Sequence, residues 1–201
     1  KRVGRFILAP GYTQYSSRLQ YQTYDITDLI IEGENSLEIT VAGGWYSEVE
    51  WFAEIIGEIA LEYSDGTCVT YGTDSSWKIG EGPVLFAHWY DGEIYDATKC
   101  ISNLKDTVVD ASATTDELIA QEGEDVVERE RISPISIFQT PKGETVIDFG
   151  QNLAGYPELN LSAMAGETVS LSFAEVLDKD GNFYTENYRT AKCQYKYTCK
   201  E

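Results

Sequence analysis

The sequence predicts an all-β protein made of two β-sandwich, jelly-roll-like domains in tandem, with very little helix. Three observations support this fold class: several segments alternate apolar and polar residues, turn signals recur about every 8 to 12 residues, and helix signals are few. The chain of 201 residues can form one large domain or two of ordinary size. We place the domains at residues 1–112 and 113–201, with the polar, acidic segment 110–124 as the linker.

The strands follow from alternation with a period of two. Segments 36–41 and 169–176 place apolar side chains on one face and mostly small or polar ones on the other, as in a half-buried strand. Segments 58–72 and 137–150 are predicted hairpins, with turns at Ser-Asp-Gly and Pro-Lys-Gly respectively. The alternating end of the chain, 194–199, predicts a further strand.

The best helix signal lies in the segment DITDLIIEG, residues 25–33. Asp25 or Thr27 is a candidate cap and Gly33 a stop, so one or two turns are expected.

The stretch EVLDKDGNFYTEN, residues 175–187, raises the question of a calcium loop. Asp178, Asp180 and Asn182 alternate, as the first ligands of an EF-hand do. Counted from Asp178, however, Gly181 falls at position 4 instead of 6, and Arg189 stands at position 12 instead of Glu. The flanking segments also look like strands, so we predict a hairpin.

Net charge and the chain ends bound the class of protein. A net charge of −19 argues against nucleic-acid and membrane-surface partners, because it repels phosphates and anionic lipids. No apolar run approaches the length of a transmembrane helix. Since the chain starts at Lys1 and its one methionine is Met164, we expect an excised fragment, truncated at both ends. We expect a cytoplasmic protein in preference to a secreted one.

The four cysteines, Cys68, Cys100, Cys193 and Cys199, have no C-x-x-C spacing, which argues against a zinc ribbon. Their even number permits two disulfides. Four thiols in a reducing compartment is the interpretation we favour.

His88 is the one histidine, so a Ser-His-Asp triad would need it. Its aromatic neighbours Trp89 and Tyr90 favour a packed ring over a catalytic base. A glycosidase needs two carboxylates, but 34 acidic residues offer too many pairs for the sequence to select one.

Two clusters combine aromatic rings with carboxylates, which together suit the apolar face and the hydroxyls of a sugar. They lie in GGWYSEVEW, residues 43–51, which also holds Glu48, Glu50 and Trp51, and in HWYDGEIYDA, residues 88–97. The candidate carbohydrate-binding residues are Trp45, Tyr46, Trp89, Tyr90, Asp91 and Glu93. The alternative is that Trp45 and Trp89 are core anchors and that Asp91 and Gly92 form a turn.

Longer motifs carry a family resemblance. The segments DFGQNLAG (148–155), AGETVSL (165–171) and AEVLDKDGNFYTENYR (174–189) resemble the region upstream of the catalytic barrel in bacterial α-L-rhamnosidases. Segments 8–30 and 82–97 are similar to the N-terminal β domain of that family. Thr98 departs from the family, which commonly has Arg after Tyr-Asp-Ala.

The resemblance implies an inverting enzyme that hydrolyses terminal α-L-rhamnose from glycosides or polysaccharides. Its acid and base would lie in a following (α/α)6 barrel, so no residue of this chain is assigned a catalytic role. Expected partners are that missing domain and a rhamnose-containing saccharide. Tyr184, Glu186 and Arg189 are the residues expected to contact the barrel.

Two other classes of protein remain open. One is a rhamnose-binding or other carbohydrate-binding module, since some family members bind rhamnose through calcium; Asp91, with Tyr90 and Glu93 beside it, is the nearest candidate ligand here. No cofactor is expected unless such a module binds calcium. The other class is an immunoglobulin-like adhesion domain, which would need a Cys-Trp-Cys core that is not evident around Cys68 and Cys100.

Overall fold

A computed structural model describes residues 1–46 and 54–200, and in this part the protein is essentially all β, as predicted. One short 3-10 helix spans Glu186–Tyr188. The strands are β1 Leu19–Tyr21, β2 Glu58–Glu62, β3 Cys68–Gly72, β4 Lys78–Glu81, β5 Val84–His88, β6 Gly92–Asp96, β7 Ser102–Asp106, β8 Leu118–Ala120, β9 Ser136–Gln139, β10 Thr145–Asp148, β11 Thr168–Ser172, β12 Val176–Leu177, β13 Phe183–Tyr184 and β14 Gln194–Thr198.

The largest sheet of the described residues has four strands in the order β11-β14-β6-β5. β5 and β6 form an antiparallel hairpin, β14 is antiparallel to β11, and β6 and β14 run parallel to each other. Five two-stranded pairs accompany this sheet: β1 with β8, β2 with β3, β4 with β7, β9 with β10, and β12 with β13. The β1 and β8 pair is also parallel.

The parallel joint between β6 and β14 depends on close backbone approach. Gly92 pairs with Gln194 at a φ of +95°, and a Cβ added to Gly92 would lie 2.1 Å from the carbonyl oxygen of Gln194. Further along the same register, Tyr95 and Tyr197 stack with ring centroids 5.4 Å apart and planes 5° apart. The joint therefore needs a glycine at one end and gains an aromatic pair near the other.

Most predicted strands are confirmed. The two predicted hairpins are β2–β3 and β9–β10. β11 begins one residue before the predicted segment 169–176, and β14 lies within the predicted segment 194–199. The prediction of a strand at 36–41 is wrong, because no described strand offers these residues a ladder partner, and they stay irregular and exposed. Segment 25–33 forms one hydrogen-bonded turn, with Asp25 Oδ1 accepting from the N–H of Thr27 at 2.9 Å.

Both halves of the chain contribute to shared sheets. The predicted linker 110–124 contains β8, which pairs with β1, and the four-stranded sheet takes two strands from each side of residue 112. The division at 112 and 113 and the sandwich arrangement both stay predictions.

Little of the described part is deeply buried. Cys199, 5% exposed, is its one buried apolar side chain, and the polar Thr13, Thr140 and Asn182 are buried to a similar degree. All four cysteines are free, with Cys68 and Cys100 exposed. Within the same residues, no helix has both the length and the apolar character needed to cross a bilayer.

Candidate functional site

A connected group of aromatic rings surrounds Trp45. Its indole meets the ring of Tyr90 edge to face, with centroids 5.3 Å apart and planes at 89°, and it meets Tyr12 at 6.3 Å. Tyr12 contacts Tyr15 at 5.4 Å, and Tyr15 contacts Tyr46 at 5.3 Å. These five rings, which we call the aromatic surface, join the first 46 residues to the end of the β5–β6 hairpin.

A tight turn at the N-terminal end places two of these tyrosines. The N–H groups of Ser17 and Arg18 both donate to the carbonyl of Gln14, and the buried Thr13 hydroxyl donates to the Arg18 carbonyl at 2.6 Å. This turn fixes the backbone between Tyr12 and the segment after Tyr15, so the two rings contact each other while Tyr12 meets Trp45 and Tyr15 meets Tyr46. Tyr12 remains 73% exposed and can contact a ligand.

The β5–β6 hairpin places the rings on the other side. His88 ends β5, and its Nδ1 accepts a hydrogen bond from the N–H of Tyr90 at 3.2 Å. The imidazole lies between Phe86 and Tyr90, at centroid distances of 6.2 and 5.9 Å. The half-buried His88 is thus packed among aromatic rings, as the sequence predicts.

Trp89 approaches the same region from the turn. A Cβ added to Gly44, whose φ is +52°, would lie 3.2 Å from Trp89 Nε1. Glycine at position 44 therefore permits both the left-handed backbone and the close approach of the indole. Trp89 itself is 48% exposed.

Asp91 ties the β5–β6 turn to the segment before β14. Its Oδ1 accepts from the N–H of Lys192 at 3.1 Å, and its Oδ2 accepts from Lys192 Nζ at 3.3 Å. Its carbonyl accepts from the N–H of Gln194, and the Tyr90 carbonyl accepts from the N–H of Cys193. The hydrogen bond from the Lys192 backbone, helped by the ammonium, lowers the pKa of the Asp91 carboxyl.

The structure thus brings together Trp45, Tyr46, Tyr90 and Trp89, with Asp91 at the base of the same turn. Glu93 follows Asp91 by two residues; it is exposed on β6 and pairs with Tyr195 of β14. Glu48, Glu50 and Trp51 lie outside the described residues.

Oxygen donors around Asp91 do not suit calcium, which takes six to eight oxygen ligands. Both carboxylate oxygens and the carbonyls of residues 90 and 91 already accept hydrogen bonds. Across residues 1–46 and 54–200, no group of three or more histidine, cysteine, aspartate and glutamate side chains could hold a metal ion. The donors present at Asp91 therefore do not fit this ion.

The stretch at 175–187 forms the predicted hairpin. β12 pairs antiparallel with β13, and Asp178 Oδ1 accepts the N–H groups of Asp180 and Asn182 at 2.9 and 2.7 Å. Gly181 supplies the positive φ of +79° that the turn needs. These backbone hydrogen bonds lower the pKa of Asp178, so its carboxylate serves the turn.

A second hairpin turn packs against this one. Asn182 Oδ1 accepts the N–H of Lys142 at 3.1 Å, and Glu144 Oε2 accepts the N–H of Phe183 at 3.1 Å. The Thr140 hydroxyl donates to the same Glu144 oxygen at 2.7 Å. The β9–β10 and β12–β13 turns are therefore joined by side chains from both.

A cavity of about 430 Å³ lies beside the β12–β13 hairpin. It is lined by Val176, Leu177, Asp178, Lys179, Asp180, Tyr184 and Glu186. Arg189 closes the following 3-10 helix with a φ of 57° and donates its N–H to the Glu186 carbonyl. Of the three residues expected to contact a barrel, Tyr184 and Glu186 thus line one cavity, and Arg189 follows Glu186 by three residues.

Sequence reasoning missed Tyr12, Tyr15 and Lys192. Tyr12 and Tyr15 stand three residues apart in GYTQYSS, and this pair of nearby aromatic residues was the available signal for a further part of the aromatic surface. Nothing local marks Lys192, because it lies 101 residues from its partner Asp91.

Comparisons with known proteins cover the whole chain. Residues 1–139 match the model of the alpha-L-rhamnosidase N-terminal domain, and residues 138–200 match that of the bacterial alpha-L-rhamnosidase concanavalin-like domain. The chain is 35% identical to an alpha-L-rhamnosidase of Streptomyces avermitilis, over 100% of the chain and 21% of that relative. It therefore spans about one fifth of the length of that relative.

Two solved structures have a similar fold. Native α-L-rhamnosidase from Aspergillus terreus aligns with a TM-score of 0.80 and 27% identity, over 98% of this chain and 25% of that one. The Streptomyces avermitilis α-L-rhamnosidase complexed with L-rhamnose aligns with a TM-score of 0.77 and 29% identity, over 100% of this chain and 21% of that one.

Proposed function

The chain belongs to the α-L-rhamnosidase family, and from this we propose that it is the non-catalytic β region of a glycoside hydrolase that removes terminal α-L-rhamnose from glycosides or polysaccharides. The observation that carries the proposal is the match along the whole chain to about one fifth of a longer enzyme. The residues that hydrolyse the glycoside are proposed to lie in the remainder.

The carboxyl groups whose pKa is shifted belong to turns and other local contacts of the β region. A glycosidase acid needs a raised pKa so that it holds a proton at neutral pH. In the described part of the chain, each carboxyl whose pKa departs from its ordinary value is lowered, mainly by hydroxyl and backbone N–H donors. These groups are Asp25, Asp65, Asp74, Asp91, Asp96, Asp110, Glu144 and Asp178.

An activity assay tests the proposal. The 201-residue chain and the product of the complete reading frame are each incubated with p-nitrophenyl α-L-rhamnoside. We expect nitrophenol release from the complete product and none from the chain. Turnover by the chain would show that it is catalytic, and an inactive but folded complete product would refute the assigned activity.

A second candidate function is sugar binding at the aromatic surface. The exposed rings of Tyr12 and Tyr90 lie on two sides of Trp45, and exposed Trp89 precedes Tyr90 in the same turn. An exposed apolar surface with polar groups beside it is typical of a binding site. The ligand proposed is a rhamnose-containing saccharide. One structural neighbour was solved with L-rhamnose, which makes that sugar the first ligand to test.

Calorimetric titration of L-rhamnose decides between sugar binding and a structural role. Binding heat together with a change in tryptophan fluorescence is expected, because Trp45 lies in the surface. If both signals are absent, the rings serve packing alone.

Tyr184, Glu186 and Arg189 are proposed to contact the catalytic remainder. The cavity beside Glu186, and the exposed Val176 and Leu177 that line it, support this role. Glu186→Ala and Arg189→Ala are expected to lower the Tm of the complete protein while leaving kcat on p-nitrophenyl α-L-rhamnoside within about twofold. Unchanged Tm in both variants would refute the contact.

A further inference from the structure

At the β5–β6 turn, the positive charge beside Asp91 is the ammonium of Lys192. Asp91 is three-quarters shielded from solvent, and its two carboxylate oxygens receive one hydrogen bond each from a single residue, Lys192. One donor is the backbone N–H and the other is the ammonium. A carboxylate that accepts two such bonds is bound at two points and has a fixed orientation.

The surrounding carbonyls are occupied in the same way. The carbonyls of Tyr90 and Asp91 accept the N–H groups of Cys193 and Gln194, the first residues of the β14 side of the joint. A cation that bound Asp91 with these carbonyls would have to break the hydrogen bonds that begin the pairing of β6 with β14. The pairing itself tolerates little displacement, because Gly92 touches Gln194.

We infer that Lys192 supplies at Asp91 the positive charge that a calcium ion would otherwise supply, so that this turn is held by an internal ion pair and works without a metal. Lys192 is a positioning residue: it acts through Asp91 on the turn that carries Trp89 and Tyr90. The inference concerns the surface proposed for sugar binding, but it rests on the contacts of Asp91 and its test uses no sugar.

The test compares the purified wild-type protein with Asp91→Asn, Lys192→Met and Lys192→Arg, each after treatment with EDTA. Calcium chloride is titrated calorimetrically, and magnesium chloride controls for ions attracted by the acidic surface. We expect wild type and Asp91→Asn to bind the same number of calcium ions. A loss of one calcium equivalent in Asp91→Asn would overturn the inference.

Thermal unfolding provides the second measurement. Lys192→Met keeps the aliphatic stem and loses the charge. Because the Lys192 side chain is 72% exposed, we expect the Tm to fall by only about 1–2 °C, with Lys192→Arg close to wild type. Calcium should restore none of the loss beyond the effect of magnesium. Specific rescue by calcium, or a Tm of Lys192→Met equal to wild type, would show that Lys192 does not play this part.

Discussion

Asn182 Oδ1 accepts the backbone N–H of Lys142 at 3.1 Å, and this single amide connects the turns of two hairpins that lie 40 residues apart in the sequence. Asn182 is 4% exposed, and its Nδ2 also contacts both carboxylate oxygens of Asp178 at 3.3 Å. One buried side chain thus satisfies groups in both turns.

Asn182→Ala should destabilise the protein measurably. The change leaves the Lys142 N–H without its acceptor in a partly buried position, which costs about 1–3 kcal/mol. The midpoint of urea unfolding reports the loss. Asn187→Ala is the control, because Asn187 is exposed in the 3-10 helix. Equal midpoints for the two variants would contradict the joining role of Asn182.

Gly92→Ala should disrupt the β6–β14 joint. The positive φ costs a non-glycine residue about 1–3 kcal/mol, and here the added methyl also overlaps the Gln194 backbone. Gly66→Ala is a matched control, since its φ of +84° is similar but nothing lies within 4 Å of the added Cβ. The two variants are compared by urea unfolding, and the difference between them measures the overlap. No difference would mean that the backbones are further apart than described.

Acid should weaken the contact between the two turns. The backbone N–H of Phe183, and then the Thr140 hydroxyl, hold the pKa of Glu144 below its ordinary value of 4.5. A carboxyl whose pKa is lower in the folded state adds stability above its unfolded pKa and loses it as the pH falls through the folded one. Tm should therefore decrease below about pH 4.5.

The variant Glu144→Gln isolates this contribution, since it keeps an acceptor oxygen that cannot titrate. Its Tm should change less between pH 5 and pH 3 than that of wild type, as measured by circular dichroism. Glu130→Gln, at an exposed position, serves as the control and should follow wild type. Parallel curves for all three proteins would refute the role of Glu144.

Tyr90→Ala tests the aromatic surface directly. It removes a 53% exposed ring and leaves Trp45 without the nearer of its two edge-to-face neighbours, so we expect L-rhamnose affinity to fall about tenfold, or about 1.4 kcal/mol. Titration calorimetry provides the measurement. Tyr71→Ala removes a similarly exposed ring on β3, and its affinity should match wild type. An unaltered affinity in Tyr90→Ala would exclude this ring from the site.

The four thiols should react in a graded order. Cys68 and Cys100 are exposed, whereas Cys199 is buried and burial raises the pKa of Cys193. A disulfide reagent at neutral pH should therefore modify two thiols quickly, Cys193 slowly, and Cys199 after unfolding. Labelling followed by peptide mass mapping identifies the order, and fast labelling of Cys199 would contradict its depth.

Local patterns predicted the parts of the fold that have local causes. The 175–187 hairpin follows from Asp178 and Gly181, which form the turn from within a few residues. The strand expected at 36–41 fails because alternation describes a face and says nothing about a pairing partner. The aromatic clusters were visible from composition, so Trp45 and Tyr90 could be named as candidates.

What the sequence could not predict depends on distant pairing. β6 and β14 run parallel, and parallel strands are not joined by a tight turn that a local sequence pattern could predict. The Asp91–Lys192 ion pair follows from that joint and was equally hidden. Asp91 could be named as a candidate ligand for calcium, but its partner in the structure is Lys192, which reaches it because β6 pairs with β14.

The parallel joint also determines the order in which the strands of this sheet can pair during synthesis. β5 and β6 can form their hairpin early, but β14 emerges roughly 100 residues later, which takes about 5–20 s at ordinary rates of translation. Throughout that interval one edge of β6 has unpaired backbone groups that another nascent chain could join. Ribosome spacing and chaperone access would then decide how much of the product reaches its native sheet.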